Sequence, residues 1–290
     1  MTLPDGRRLA YAEYGDQQGY PTLYFHGFPG SRLEAILAAA SAAQAEVRLI
    51  APDRPGIGGS DLQPNRSLLD WPADVLHLVD HLGLARFTVV GVSGGGPYAA
   101  VCAHAIAQRI DAVGIVSGVA PFDERARFDD MFWPNRVALR GAQRAPWLVE
   151  PGLRPAVALK WFSHVAVGLL GLALGGPDRA VLARSEVRDT IARSFAESLR
   201  QGTRGQVDEL SILIRPWGFR LEDVSAEVYL WHGGRDRIVP PSHHEHLCDT
   251  LARSHCELLP GEGHFSLVID HAPQIFSTLR GAVQGATGSR

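Results

Sequence analysis

Apolar and polar positions along the first 120 residues change between two periods. Arg8 to Tyr14 alternates at period two, as a half-buried strand does, and Thr22 to Phe25 is a short β-rich run that stops at His26-Gly27-Phe28-Pro29-Gly30. Helical, alanine-rich sequence from about Leu33 to Gln44 then leads into the apolar run Val47 to Ala51, which ends in Asp53-Arg54-Pro55-Gly56-Ile57-Gly58-Gly59-Ser60. Val75, Leu76, Val79 and Leu82 recur at helical spacing, Phe87 to Val92 is continuously apolar, and Pro97 to Ile106 predicts another helix. Val113 to Val116 reads as one more strand. Strands alternating with helices predict an α/β fold, a mostly parallel central sheet flanked by helices.

From about Phe122 to Arg220 the rhythm changes. Helix-like segments rich in Trp, Arg and Ala, punctuated by Pro134, Pro146, Pro151, Pro155, Pro177 and Pro216, carry no buried-strand pattern. They predict a helical insertion over 122–220 that divides a core built from 1–121 and 221–290. The earlier rhythm resumes with a strand at Val228 to Trp231, a helix near His243 to Leu251, a strand near Cys256 to Leu259 and a helix after Pro273. The most apolar stretch, Val165 to Gly176, falls short of the roughly 20 residues that a bilayer demands and reads as a buried or lid helix.

Charge narrows the choice of partner. Lys and Arg number 28 against 31 Asp and Glu, for a formal charge of -3, and they are spread along the chain. That distribution predicts neither a nucleic-acid nor a membrane partner, and favours a small, roughly neutral molecule. The sequence leaves the oligomeric state open. Cys102, Cys248 and Cys256 are irregularly spaced, which argues against a disulfide framework and predicts three buried thiols in a reducing, cytoplasmic setting. The opening Met1 to Arg7 lacks the charged and apolar blocks of an export signal. His243, His244 and His246, and the pair His77 and His81, read as solvated helix faces without a zinc-type Cys or carboxylate pattern, so no metal and no cofactor is predicted.

Four segments at strand ends carry the candidate chemistry. Gly91-Val92-Ser93-Gly94-Gly95 joins an apolar strand to a helix, where a tight turn would present the Ser93 hydroxyl and where Gly91 and Gly95 must be small. The following helix N-terminus would aim N–H groups at a developing oxyanion, with Gly94 as first donor. His26-Gly27-Phe28-Pro29 would lie beside that turn and lend the Phe28 N–H as second donor. Trp231 to Pro240 places Asp236 after a late strand, and Gly261-Glu262-Gly263-His264-Phe265 places His264 before the final helical region. Each could be an ordinary turn, an Arg-paired acid or a loop histidine. Their order Ser, Asp, His predicts instead a nucleophile, an orienting acid and a general base.

These segments resemble the cap-bearing group of α/β hydrolases, which includes esterases, lactonases, proline iminopeptidases, haloalkane dehalogenases and epoxide hydrolases. The resemblance implies a cap inserted after the sixth core strand, a structural His26, an oxyanion N–H from Phe28 and a cis Phe28-Pro29 bond. The Asp53 to Ser60 loop resembles one that supports the fold. A serine at position 93 departs from the aspartate nucleophile of the dehalogenases and epoxide hydrolases. Phe28 and Gly94 depart from the glycine and tryptophan of the iminopeptidases. The resemblance therefore implies a serine hydrolase acting on a small carboxylic ester or lactone; a ligand receptor, an aminopeptidase, or a lyase or carbon–carbon hydrolase on the same triad are the alternatives. Asp123 is the alternative acid, and Trp133, Trp147, Trp161, Phe162 and Trp217 are the candidate pocket residues.

Overall fold

The computed structural model describes residues 1–123 and 131–288. Seven strands form one sheet: β1 (Tyr11–Gly15), β2 (Tyr20–Phe25), β3 (Val47–Pro52), β4 (Phe87–Val92), β5 (Ile110–Val116), β6 (Val228–Gly233) and β7 (Ser254–Leu259). Their order is β1-β3-β2-β4-β5-β6-β7. β1 runs antiparallel to β3, and every other pairing is parallel. The central strand β4, Phe-Thr-Val-Val-Gly-Val, is buried at every position because helices cover both faces of the sheet. β7 closes one edge, and four of its six residues are exposed.

The helices are α1 (Ala39–Gln44), α2 (Trp71–His81), α3 (Gly96–Ala105), α4 (Trp133–Arg144), α5 (Val149–Leu159), α6 (Ser163–Leu174), α7 (Gly176–Leu182), α8 (Ser185–Ser198), α9 (Arg204–Ile214), α10 (Pro241–Thr250), α11 (His264–Asp270) and α12 (Ala272–Gly288). On one face of the sheet Trp71 of α2 is wedged edge-on between Phe25 and Tyr98, with ring centroids 5.3 and 5.8 Å away. On the other face Ile275, Phe276 and Leu279 of α12 pack with Val90, Val92 and Trp231. Helices α4 to α9 all fall between β5 and β6. Five strands of the sheet precede them rather than six, because the N-terminal pairing of Thr2 with Arg8 remains an isolated bridge. No single helix among the described residues is long and apolar enough to cross a membrane.

Two expectations about side chains are corrected. Cys248 of α10 and Cys256 of β7 are joined in a disulfide, and only Cys102 is a free, buried thiol. Irregular spacing concealed the pairing, since helix and strand become neighbours only when α10 packs beside β7. His77 and His81 do face solvent, but His243, His244 and His246 are all buried. His243 Nδ1 accepts the Ala120 N–H at 3.1 Å, and burial holds its pKa down to about 3.

A buried ion cluster ties α9 to the core. Arg54, in the loop after β3, is 1 % exposed and donates through Nε to Glu209 Oε2 at 2.7 Å. The other Glu209 oxygen accepts from Tyr98 Oη at 2.8 Å and from Arg66. Burial disfavours the carboxylate, but the two guanidinium groups outweigh it and bring the Glu209 pKa down to about 2. Glu209→Ala, which strands two buried cations, is expected to cost roughly 3–5 kcal/mol in denaturant unfolding. Removing the exposed Glu150 partner of Arg154 should change stability by no more than about 0.5 kcal/mol.

Candidate active site

Ser93 stands at the carboxyl end of β4 and opens a single 3-10 turn, Ser93–Gly95, that runs into α3. Its φ is +52°, a left-handed conformation that a residue with a side chain holds only where its surroundings impose it. The surroundings here are very close. A Cβ on Gly91 would lie 2.4 Å from the Gly95 carbonyl oxygen, and one on Gly95 would lie 2.1 Å from that of Phe25. Glycine is therefore obligatory two residues before and two residues after the serine. The loop after β2 packs against this turn: a Cβ on Gly94 would meet Phe28 Cβ at 2.8 Å and Phe28 N at 3.2 Å.

The His26–Pro29 loop is fixed from three sides. His26 is buried and donates from Nδ1 to the Gly27 carbonyl at 2.8 Å; burial, reinforced by the Arg54 guanidinium, lowers its pKa to about 3 and keeps the ring neutral. Arg54 donates to the carbonyls of His26 at 2.6 Å and Gly27 at 3.2 Å. Glu34 accepts the Gly27 N–H at 3.0 Å and the Tyr24 hydroxyl at 2.9 Å. The Phe28-Pro29 peptide bond is cis. Sequence reading assigned no role to Glu34 and only general support to Arg54. Both act through backbone groups of another loop, which spacing does not reveal.

His264 is the first residue of α11, and its Nδ1 lies 2.7 Å from Asp236 Oδ2. Asp236 follows β6, and its other oxygen accepts the N–H groups of Ile238 and Val239, each at 2.9 Å. This carboxylate is buried and cannot rotate without losing both bonds. It fixes the His264 tautomer with the proton on Nδ1, which makes Nε2 the acceptor. Asp123 does not hold this histidine; it is exposed and stands 3.4 Å from His246 Nε2.

A further carboxylate, Asp178 of α7, reaches the start of α11. It accepts the N–H groups of His264 at 3.0 Å, Phe265 at 2.8 Å and Ser266 at 3.0 Å. It thus satisfies the orphan donors of a helix N-terminus and places negative charge at the positive dipole end. Nothing in the local sequence near His264 signals a cap supplied from 86 residues away. Burial lowers the His264 pKa, but Asp236, its hydrogen bond, Asp178 and Glu34 outweigh burial and hold it above the ordinary imidazole value.

Ser93, His264, Gly27, Phe28 and Glu34 border one cavity of about 300 Å³. Its remaining wall is mainly apolar and includes Leu37, Val167, Leu170, Ile191, Phe195 and Ile238. Four of the five candidate pocket aromatics do not border it. Trp133, Trp147 and Phe162 are 63 %, 71 % and 61 % exposed, and Trp217 is buried in the core beside Phe219, with ring centroids 5.9 Å apart. The Trp161 side chain lies outside the described residues. Helical spacing identifies segments but not which face of each turns toward the sheet, so it could name these aromatics only as candidates.

A serine on a constrained strand-to-helix turn, a histidine held by a buried carboxylate, and an apolar cavity at the carboxyl ends of parallel strands together make one candidate active site. The chain belongs to the α/β-hydrolase fold family, whose model matches residues 20–270. It is 29 % identical over 239 residues to the dihydrolipoyllysine-residue acetyltransferase component of an acetoin cleaving system from Pseudomonas putida, covering 82 % of this chain and 58 % of that one. The chain thus spans little more than half the length of that relative. It is 24 % identical to 3-oxoadipate enol-lactonase 2 from Acinetobacter baylyi, over 93 % of this chain and 90 % of the relative. Among solved structures, an esterase from Exiguobacterium antarcticum superposes with a TM-score of 0.71 at 16 % identity, covering 98 % of both chains.

A base that works when deprotonated gains activity as pH rises through its pKa. The acidic limb of the kcat/KM profile of any reaction that uses His264 as its base is therefore expected above the pH of an ordinary imidazole. Asp178→Asn should move that limb to lower pH, reduce the plateau roughly 10- to 100-fold through a misplaced imidazole, and cost about 1–2 kcal/mol in stability. A loss of stability with an unmoved pH limb would show that Asp178 braces the fold without tuning His264.

Proposed function

We propose that the protein is a serine hydrolase that cleaves a small carboxylic ester or lactone through an acyl-enzyme on Ser93. The observation that carries this reading is the 2.7 Å contact between His264 Nδ1 and the doubly anchored Asp236, on the same cavity as the constrained Ser93. His264 Nε2 takes the hydroxyl proton as Oγ attacks the carbonyl carbon. Asp236 stabilises the resulting imidazolium. The carbonyl oxygen becomes an oxyanion, for which the backbone N–H groups of Phe28 and Gly94 are the donors. Collapse expels the alcohol, which receives the proton from His264. Water, deprotonated by the same imidazole, then releases the acid. A lactone follows the same course and yields a hydroxy acid.

The apolar wall supports an uncharged substrate, since a charged group there would forfeit hydration without a partner. The names of two relatives, an enol-lactonase and an esterase, agree with an oxygen ester as the cleaved bond.

Ser93→Ala is expected to reduce hydrolysis of p-nitrophenyl esters on the order of a millionfold while leaving the unfolding midpoint nearly unchanged. Asp236→Asn should lose on the order of 10⁴-fold, and Asp123→Asn should stay within about twofold of the parent. A fluorophosphonate should label Ser93 stoichiometrically. Failure to label the folded parent chain would replace the hydrolase by a ligand receptor on the same fold.

A further inference from the structure

On the far side of β6 from the cavity, the disulfide has a third neighbour. His244 and Cys248 lie one turn apart on α10, so their side chains project from the same face, and Cys256 comes from β7 alongside. His244 Nε2, Cys248 Sγ and Cys256 Sγ all lie within 4.8 Å of one another. The separation of His244 Nε2 from Cys248 Sγ is 3.5 Å. A tetrahedral zinc ion with bonds of about 2.0–2.1 Å to nitrogen and about 2.3 Å to sulfur spaces such a pair about 3.5 Å apart.

We propose that, once the Cys248–Cys256 bond is reduced, these three side chains form a binding site for a zinc-type divalent cation. The disulfide is the closed state of that site. A small dithiol supplies two electrons and two protons to the S–S bond, yielding two thiols while the dithiol closes to its own disulfide. The cation then displaces both thiol protons, forms two metal–sulfur bonds and one bond to His244 Nε2, and leaves its fourth position to water. Two thiolates and an imidazole select zinc, and its spectroscopic stand-in cobalt, over the hard cations magnesium and calcium.

Two further observations support the site. Cys256 is exposed and Cys248 half-buried, so reductant and cation can both reach the sulfurs. His244 is buried and its Nε2 already faces Cys248 Sγ, so one ligand is in place before reduction. The His232 ring lies 5.6 Å from that of His244, and His232 Nε2 is 3.5 Å from Asp236 Oδ2. One side chain, His232, therefore separates the cluster from Asp236, and no member of the cluster borders the cavity.

The test uses the full-length chain, reduced with a small dithiol, freed of it under anaerobic conditions, and titrated with cobalt(II) and then with zinc(II) against a chromophoric chelator. Reduced protein is expected to bind one equivalent with a Kd of about 1 μM or tighter and to show thiolate-to-cobalt charge transfer with tetrahedral d–d bands. Oxidised protein should show neither. Cys256→Ser, at an exposed position, and His244→Ala should each weaken binding at least about tenfold, with circular dichroism confirming that both remain folded. The proposal is overturned if the reduced parent binds no more cation than a Cys248→Ser/Cys256→Ser variant. It is equally overturned if the charge-transfer band survives in that variant, or if reduction unfolds the chain and zinc does not restore it. None of these readouts depends on hydrolysis, so the site stands or falls apart from the proposed reaction.

Discussion

A guanidinium with almost no access to water must find all its compensation in the protein, and Arg54 finds it in three separate segments. It binds the carbonyls of His26 and Gly27 after β2, receives Glu209 from α9, and lies 4.5 Å over the Tyr98 ring of α3. Removing any one of these leaves a desolvated charge or a dangling acceptor, so the segments are held together more strictly than apolar packing would hold them. The loop that adjoins Ser93 inherits its position from this cluster. A guanidinium that does not itself border the cavity thus holds the loop whose residues Gly27 and Phe28 do.

The inserted helices act in the same way from a second direction. Glu209 of α9 reaches under the loop after β2, while Asp178 of α7 caps the helix that begins with His264. Two carboxylates from the stretch between β5 and β6 therefore support both halves of the candidate machinery. Neither carboxylate borders the cavity, so each acts only through the group it holds. The sheet supplies the directions of Ser93 and Asp236, and the helices above it supply their alignment with their neighbours.

The parts legible in the sequence were those fixed by local stereochemistry. All seven strands were read near their observed places, because continuous or alternating apolar runs bounded by Gly and Pro have few other uses in a chain of this kind. Gly91 and Gly95 betrayed the turn at Ser93, since the backbone there excludes a Cβ. His264 and Asp236 were recognisable from their positions after β7 and β6. Contacts created only by tertiary adjacency were invisible: Asp178 with His264, Glu34 with Gly27, and Cys248 with Cys256. Four of the five candidate pocket aromatics lie away from the cavity, and the Trp161 side chain is outside the described residues. In a helical insertion the apolar period shows that a face is buried, but not against what, and Trp217, in the loop after α9, packs in the core beside Phe219.

Helix α6 is apolar on two opposite sides. Ala166, Val167 and Leu170 look into the cavity, whereas Val165, Leu169 and Leu172 are half or more exposed at the outer surface. One side of the cavity wall is thus carried by a helix whose outer face meets solvent. Exchanging bulk for space at 166, 167 or 170 remodels the chamber while the floor, with its serine and its imidazole, stays as built. Under the proposed hydrolysis, selectivity can drift across generations of substitutions in one turn-and-a-half of helix, independently of the groups that cleave.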